Sequence, residues 1–190
     1  KYKALCEPIL GKYQDADFTT VIIRPATVCG YSPRMRLDLT VNILTNHAVN
    51  KGIITVFGGR QKRPNIHIED IAELYVEVLE LPKELIAGEI FNVGYQNHTI
   101  SEIAEIVKTV VEEEMPEKTP IQVETAASDD QRSYHISSKK IAEKLNFVPK
   151  RSIEDAVSDL CAAFKADRLP NSLDGDRYIN VNTVKKLGVR

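Results

Sequence analysis

β-branched apolar runs alternate along the chain with stretches whose apolar residues recur at helical spacing. Ala4, Leu5, Ile9 and Leu10 predict a helix over residues 3–11, kinked at Pro8. Thr19, Thr20, Val21, Ile22 and Ile23 form a continuous run, the mark of a strand buried on both faces in a parallel sheet. Leu39, Val41, Ile43, Leu44 and Ala48 predict a helix over 38–51, and Ile53–Phe57 a short strand closed by Gly58 and Gly59. Residues 60–64 read as a loop, and Ile71, Leu74, Val78 and Leu81 as the buried stripe of a helix over 69–81 that Pro82 ends. A strand over 90–94 follows. Thr99 and Glu102 then have capping-box spacing ahead of Ile103, Ile106, Val107 and Val110. Ile121 and Val123 suggest a last strand, and Ser137 or Ser138, then Ser152, suit the N-caps of two further helices. Helices thus alternate with strands, an α/β pattern without repeats or low-complexity segments.

Composition narrows the partners. Twenty-five basic and 27 acidic side chains leave a formal net charge of -2, which argues against nucleic acid, whose phosphates call for a basic excess. No apolar run approaches the ~20 residues that span a bilayer. Three cysteines, widely spaced and odd in number, suit a reducing, cytoplasmic setting and not a disulfide scaffold. The four histidines are isolated, and no metal site is expected. The cluster His67, Ile68, Glu69, Asp70 reads as a strand-to-helix corner with Glu69 or Asp70 at the helix start.

Several segments, in order, carry a resemblance. Lys3 to Glu7 is similar to the end of a Tyr-x-x-x-Lys-x-x-x-Glu helix. Arg24, Pro25, Ala26, Thr27 and Gly30 stand where a strand would end Arg-x-x-Asn-x-x-Gly, and Thr55 to Gly58 resembles an apolar strand ending in Tyr/Phe-Gly. Arg63 to Asp70 is close to Arg-Asp-x-x-His-Val-x-Asp, Phe91 to Gly94 to Asn-Val/Ile-Gly, and Asp130, Gln131, Arg132, Ser133 and Tyr134 to a nucleotide-binding loop. These motifs resemble the extended short-chain dehydrogenases/reductases, in their nucleotide-sugar epimerase and dehydratase branch, across residues 3–145.

The resemblance implies the C-terminal part of a doubly wound Rossmann-type parallel sheet plus a smaller α/β substrate-binding domain. Residues 1–31 would close the NAD-binding domain, and 32–190 would mainly form the substrate domain, with about 63–94 returning to the first. It implies NAD as cofactor, with NADP open, a nucleoside-diphosphate sugar as substrate, and a homodimer built on the Lys3 helix. Lys3 would be catalytic, holding the nicotinamide ribose and lowering the pKa of a tyrosine by its charge, with Pro25 and Ala26 also beside the cofactor. Thr27, Asp38, Leu39, Thr55, Val56, Phe57, Arg63, Arg132 and Tyr134 would bind substrate, Arg63 as the main diphosphate donor. A solvated lysine or arginine, a core role for Phe57 and a plain N-cap for Asp38 are the competing readings.

Two departures stand out. Thr27 replaces an asparagine, and Ala127, Ser128, Asp129 and Asp130 replace Arg-Pro-Gly-Asp, so that Arg132 would have to supply the second phosphate contact. The tyrosine four places before Lys3 would precede the first residue, and no glycine-rich phosphate loop follows a strand. The sequence therefore reads as the C-terminal portion of a longer enzyme, expected to turn over no substrate by itself. The expected activity is epimerisation through a transient keto-sugar, in cell-surface polysaccharide precursor synthesis, because Ser32 to Asp38 resembles that group. A 4,6-dehydratase and a non-catalytic dinucleotide-binding member of the fold are the alternatives.

Overall fold

Helix α1 (Tyr2–Gly11) leads into β1 (Val21–Pro25) and β2 (Thr27–Cys29), then α2 (Thr40–Lys51) and β3 (Ile53–Phe57). The chain continues through β4 (Lys62–His67), α3 (Ile68–Glu80), α4 (Lys83–Ile86), β5 (Glu89–Val93) and β6 (Gln96–Thr99). It ends with α5 (Ile100–Glu114), β7 (Gln122–Ala126), α6 (Lys139–Leu145), α7 (Ile153–Lys165) and α8 (Asn180–Lys186). This computed structural model describes residues 2–130 and 132–188. Gln131, part of the expected nucleotide-binding loop, lies outside the described residues.

Three small sheets organise the α/β fold. β1 runs parallel to β5, with Val21 opposite Glu89 and Pro25 opposite Val93. Ala26 extends that pairing, its N–H donating to the Val93 carbonyl at 2.7 Å. Immediately afterwards the chain changes neighbour: β2 runs parallel to β4, with Thr27 opposite Asn65. β4 also pairs antiparallel with β6, and β3 runs parallel to β7.

Apolar burial divides between two main cores. One gathers Val41 and Leu44 of α2, Ile54 and Val56 of β3, Ile103 and Val107 of α5, and Val157 of α7. The other gathers Ile66, Ile71, Leu74, Phe91, Val93 and Ile141, with Val21 and Ile23 of β1 against it. A smaller cluster joins Met35 and Leu37 to Leu160, Leu169 and Tyr178.

The capping boxes form where spacing places them. The Thr99 hydroxyl accepts from the Glu102 N–H while the Glu102 carboxylate accepts from the Thr99 N–H, and Ser152 and Asp155 repeat the device. Ser138 precedes α6 but does not cap it, because its hydroxyl is bonded to Gly94, donating to the carbonyl at 2.6 Å. Helix α3 is capped by His67, two or three residues before the expected positions. Nδ1 of this buried ring accepts from the Glu69 N–H at 3.2 Å. The ring proton therefore sits on Nε2, 3.2 Å from the Asp159 carboxylate.

Two expectations change. Lys62, Arg63 and Pro64 are not a loop but the start of β4, because the polar strand β6 pairs with them. Pro64 is tolerated ahead of the Asn65–His67 segment, where β4 has yet to gain β2 as a second neighbour. The α2 helix begins at Thr40 with Leu39 as its N-cap residue, so Asp38 is not a cap. The Asp38 carboxylate instead accepts both arms of the Arg36 guanidinium, at 2.9 and 3.0 Å.

Candidate functional site

Parallel α/β sheets present their ligand clefts at the carboxyl ends of strands, and β1 ends at Pro25. A cleft of about 350 Å3 opens there, lined by Lys3, Pro25, Ala26, Thr27, Arg34 and Leu39 among others. Five of the residues singled out from sequence (Lys3, Pro25, Ala26, Thr27 and Leu39) thus share one cavity. Lys3 lies on the first turn of α1, and α1 is tethered to β1 by a fork of hydrogen bonds from Arg24 to the Glu7 carboxylate, Nε to Oε1 at 2.8 Å. Glu7 therefore serves β1, and the bonds from Arg24, reinforced by its charge, hold the carboxyl below its ordinary value.

Gly30 shapes the far wall of this cleft. Its φ of 98° is a left-handed conformation, and an added Cβ would lie 3.0 Å from His67 Nε2. Its N–H donates to Asn42 Oδ1 at 3.1 Å, so the chain turns tightly from β2 toward the loop that carries Arg34 and Arg36.

A second group forms around Arg63. Two residues along β4 from the partner of Thr27, Arg63 donates through Nη1 to the carbonyls of Lys62, at 3.0 Å, and Arg132, at 2.6 Å. Its Nη2 reaches Asp130 Oδ2 at 3.3 Å, and the guanidinium lies 5.4 Å from the centre of the Tyr134 ring. Arg132 closes on the same carboxylate, Nε to Oδ1 at 2.7 Å and Nη2 to Oδ2 at 2.9 Å. The hydrogen bonds from Arg132, with the charges of both arginines, pull the Asp130 carboxyl down to about 2. The structure thus brings Arg63, Arg132 and Tyr134 together, with Asp130 as their common counter-charge.

β3 joins this group through Gln61, whose amide Nε2 donates to the carbonyls of Asp130, at 2.6 Å, and Phe57, at 3.4 Å. Along β3 the side chains alternate: Val56 is 1% exposed within the main core, whereas Phe57 is 58% exposed. Val56 accordingly has only backbone to offer a ligand, and Phe57 is a surface ring. Thr55 is half-buried. Asp38 stands apart from the cleft lining, its carboxyl lowered on balance: partial burial raises it, but Arg36 and the Asn180 N–H outweigh that.

Arg34, Arg36 and Asn42 also line the cleft and did not emerge as site residues from the sequence. The only signal was the pair of arginines two apart in Arg34, Met35, Arg36, which alternation places on one side of an extended segment with Met35 buried on the other.

Comparison with known proteins bears on the fold and the family. Residues 2–94 match the model of the NAD dependent epimerase/dehydratase family. The curated UDP-glucuronic acid decarboxylase 1 of Arabidopsis thaliana is 30% identical over 149 residues, 76% of this chain and 32% of its own length. Among solved structures, the UDP-glucuronic acid 4-epimerase of Bacillus cereus, in complex with UDP-glucuronic acid and NAD, superposes with a TM-score of 0.68 at 23% identity. That match covers 84% of this chain and 50% of the epimerase. The ADP-L-glycero-D-manno-heptose-6-epimerase of Helicobacter pylori gives 0.69 at 20% identity, over 87% of this chain and 50% of that one. The fold is thus that of the Rossmann-like nucleotide-sugar epimerases and dehydratases. Residues 2–94 are similar to the NAD dependent epimerase/dehydratase family, and the chain spans about a third of the curated relative and half of the solved ones. Among the described residues, no helix is long and apolar enough to cross a membrane.

Proposed function

We propose that this chain provides the substrate side and the catalytic lysine of an NAD-dependent nucleotide-sugar epimerase. The observation that carries the reading is the meeting of Lys3, Pro25, Ala26 and Thr27 in one cleft, with the Arg63–Arg132 pair two residues along the neighbouring strand. The cleft residues fit a dinucleotide's ribose end: Lys3 offers an ammonium donor, and Pro25 and Ala26 offer backbone and small side chains that permit close approach. NAD, when bound, supplies the hydride acceptor for oxidation of a sugar hydroxyl. Lys3 holds the ribose hydroxyls, and its charge lowers the pKa of a phenol brought beside it, favouring the ionised base.

The two guanidiniums fit the diphosphate. A guanidinium is a planar fork matched to phosphate oxygens; Asp130 fixes the two side by side, and an incoming diphosphate would take their remaining N–H groups or displace that carboxylate. Tyr134, 5.4 Å from Arg63, and Phe57, both exposed, offer surfaces for a nucleobase or sugar. UDP is the first nucleotide to test, because the curated relative and the Bacillus cereus neighbour are both named for a UDP sugar. We extend the proposal to a homodimer through α1, which buries none of its own residues and exposes Tyr2, Leu5 and Ile9.

Replacement of Lys3 by alanine in the full-length protein tests the catalytic assignment. The expected result is a fall in kcat of roughly a hundredfold, in the range of a lost general acid–base contribution, with nucleoside-diphosphate affinity retained. An unchanged kcat would remove Lys3 from the mechanism.

A further inference from the structure

Next to the cleft lies a smaller cavity of about 220 Å3, formed where the turn Tyr31–Met35 meets the segment around Leu169 and Tyr178. Three guanidiniums line it: Arg34, Arg168 and Arg177. Among the described residues, no carboxylate lies within 4.0 Å of any of the three. Of the acids nearby in sequence, Asp38 pairs with Arg36 and Asp176 with Lys186, while Asp167 and Asp174 lie more than 4.0 Å from all three guanidiniums.

These cations are nevertheless held in place. Arg168 lies 5.9 Å from the Tyr31 ring centre, and Arg177 lies 4.6 Å from that of Tyr178 and donates to its hydroxyl. Tyr178 is itself buried, and its hydroxyl donates to the Pro170 carbonyl at 2.9 Å. The floor is apolar, since Met35, Leu169 and Tyr178 are 4%, 5% and 2% exposed. Positive charge gathered without a counter-charge over such a floor repels itself, and the low dielectric beneath strengthens its attraction for an anion.

We propose that this cavity is a second anion site, taking a compact oxyanion, carboxylate or phosphate, in the forks of Arg34, Arg168 and Arg177. The volume is several times the ~30 Å3 that one water occupies in the liquid, enough for such a group. Ser32 and Arg34 line both this cavity and the Lys3 cleft. An acidic substituent on a molecule seated in the cleft therefore has a route into it, and a free oxyanion is the other source. Arg168 and Arg177 lie outside residues 2–94 that match the family, so the site combines a family turn with a segment beyond that match.

The test uses the full-length protein and the variant Arg168→Gln/Arg177→Gln, titrated by calorimetry with inorganic phosphate and with two UDP-sugars that differ by one sugar carboxylate. The expected result is that the variant weakens binding of phosphate or of the carboxylate-bearing UDP-sugar by about tenfold or more and leaves the UDP-sugar without the carboxylate unchanged. A loss confined to the carboxylate-bearing sugar identifies a substrate substituent as the anion; a loss of phosphate binding identifies a free oxyanion. Arg34→Gln, at an exposed position, must weaken the same probe, which guards against misfolding of the double variant. Equal binding of both charged probes by parent and variants would overturn the proposal. The site does not depend on the nucleotide-sugar reading: failure of that reading shows as loss of UDP affinity in the parent, with the phosphate arm still readable.

Discussion

One carboxylate organises the cationic side of the site. Asp130 receives Arg132 through three hydrogen bonds, two from the guanidinium and one from the N–H, and Arg63 through a fourth, and its folded-state pKa of about 2 lies below the ~3.9 of an ordinary aspartate. A depressed carboxylate pKa gives stabilisation that is fully present above the unfolded value and is lost as pH falls through the folded one. The parent should therefore melt at a higher temperature than Asp130→Asn near pH 5, with the difference closing between about pH 4 and pH 2. A difference independent of pH would mean that the carboxylate's charge does not hold the arginines. Asp130 was visible in the sequence only as part of a segment resembling a nucleotide-binding loop, not as a partner of Arg63, because that partnership spans 67 positions. Val56 shows the opposite case, a residue whose role strand alternation could have limited: with Phe57 outward, its neighbour must face the core.

At the scale of elements, the corner from β4 into α3 is clamped to the start of α7. Asp70, buried on the first turn of α3, accepts from Arg151 Nη1 at 2.8 Å and from the backbone N–H groups of Lys150 and Arg151, at 3.1 and 3.0 Å. Arg151 also reaches Glu69 and Glu73, each at 2.8 Å. Asp70→Ala should cost about 3 kcal/mol, since it removes one partner of a buried pair and strands two N–H donors. Urea unfolding measures it, and a change under about 1 kcal/mol would reduce the clamp to an ordinary surface pair. Sequence periodicity found long apolar elements, with α3 near both observed limits and α5 at its start, while α7 was marked by its N-cap Ser152 alone. It passed over β2, α4 and β6. β2 and α4 are too short for a period to register, and β6 is polar throughout, so only its partner β4 gives it away.

For the whole molecule, the α/β architecture and the family resemblance were legible because the motifs stand in order along most of the chain. The grouping of site residues was not, because it depends on where β1 changes neighbour at Ala26 and on the return of residues 130–134 to β4. Those contacts set Arg63, sixty residues after Lys3, two residues along β4 from the partner of Thr27, which lines the same cleft as Lys3. The central claim is that this region seats a nucleoside diphosphate through Arg63. Calorimetric titration with UDP and with uridine, on the parent and Arg63→Ala, tests it most directly. The account expects saturable UDP binding, far weaker binding of uridine, and a loss of about tenfold or more for UDP in Arg63→Ala. Equal affinity for UDP and uridine, or UDP binding untouched by Arg63→Ala, would contradict it.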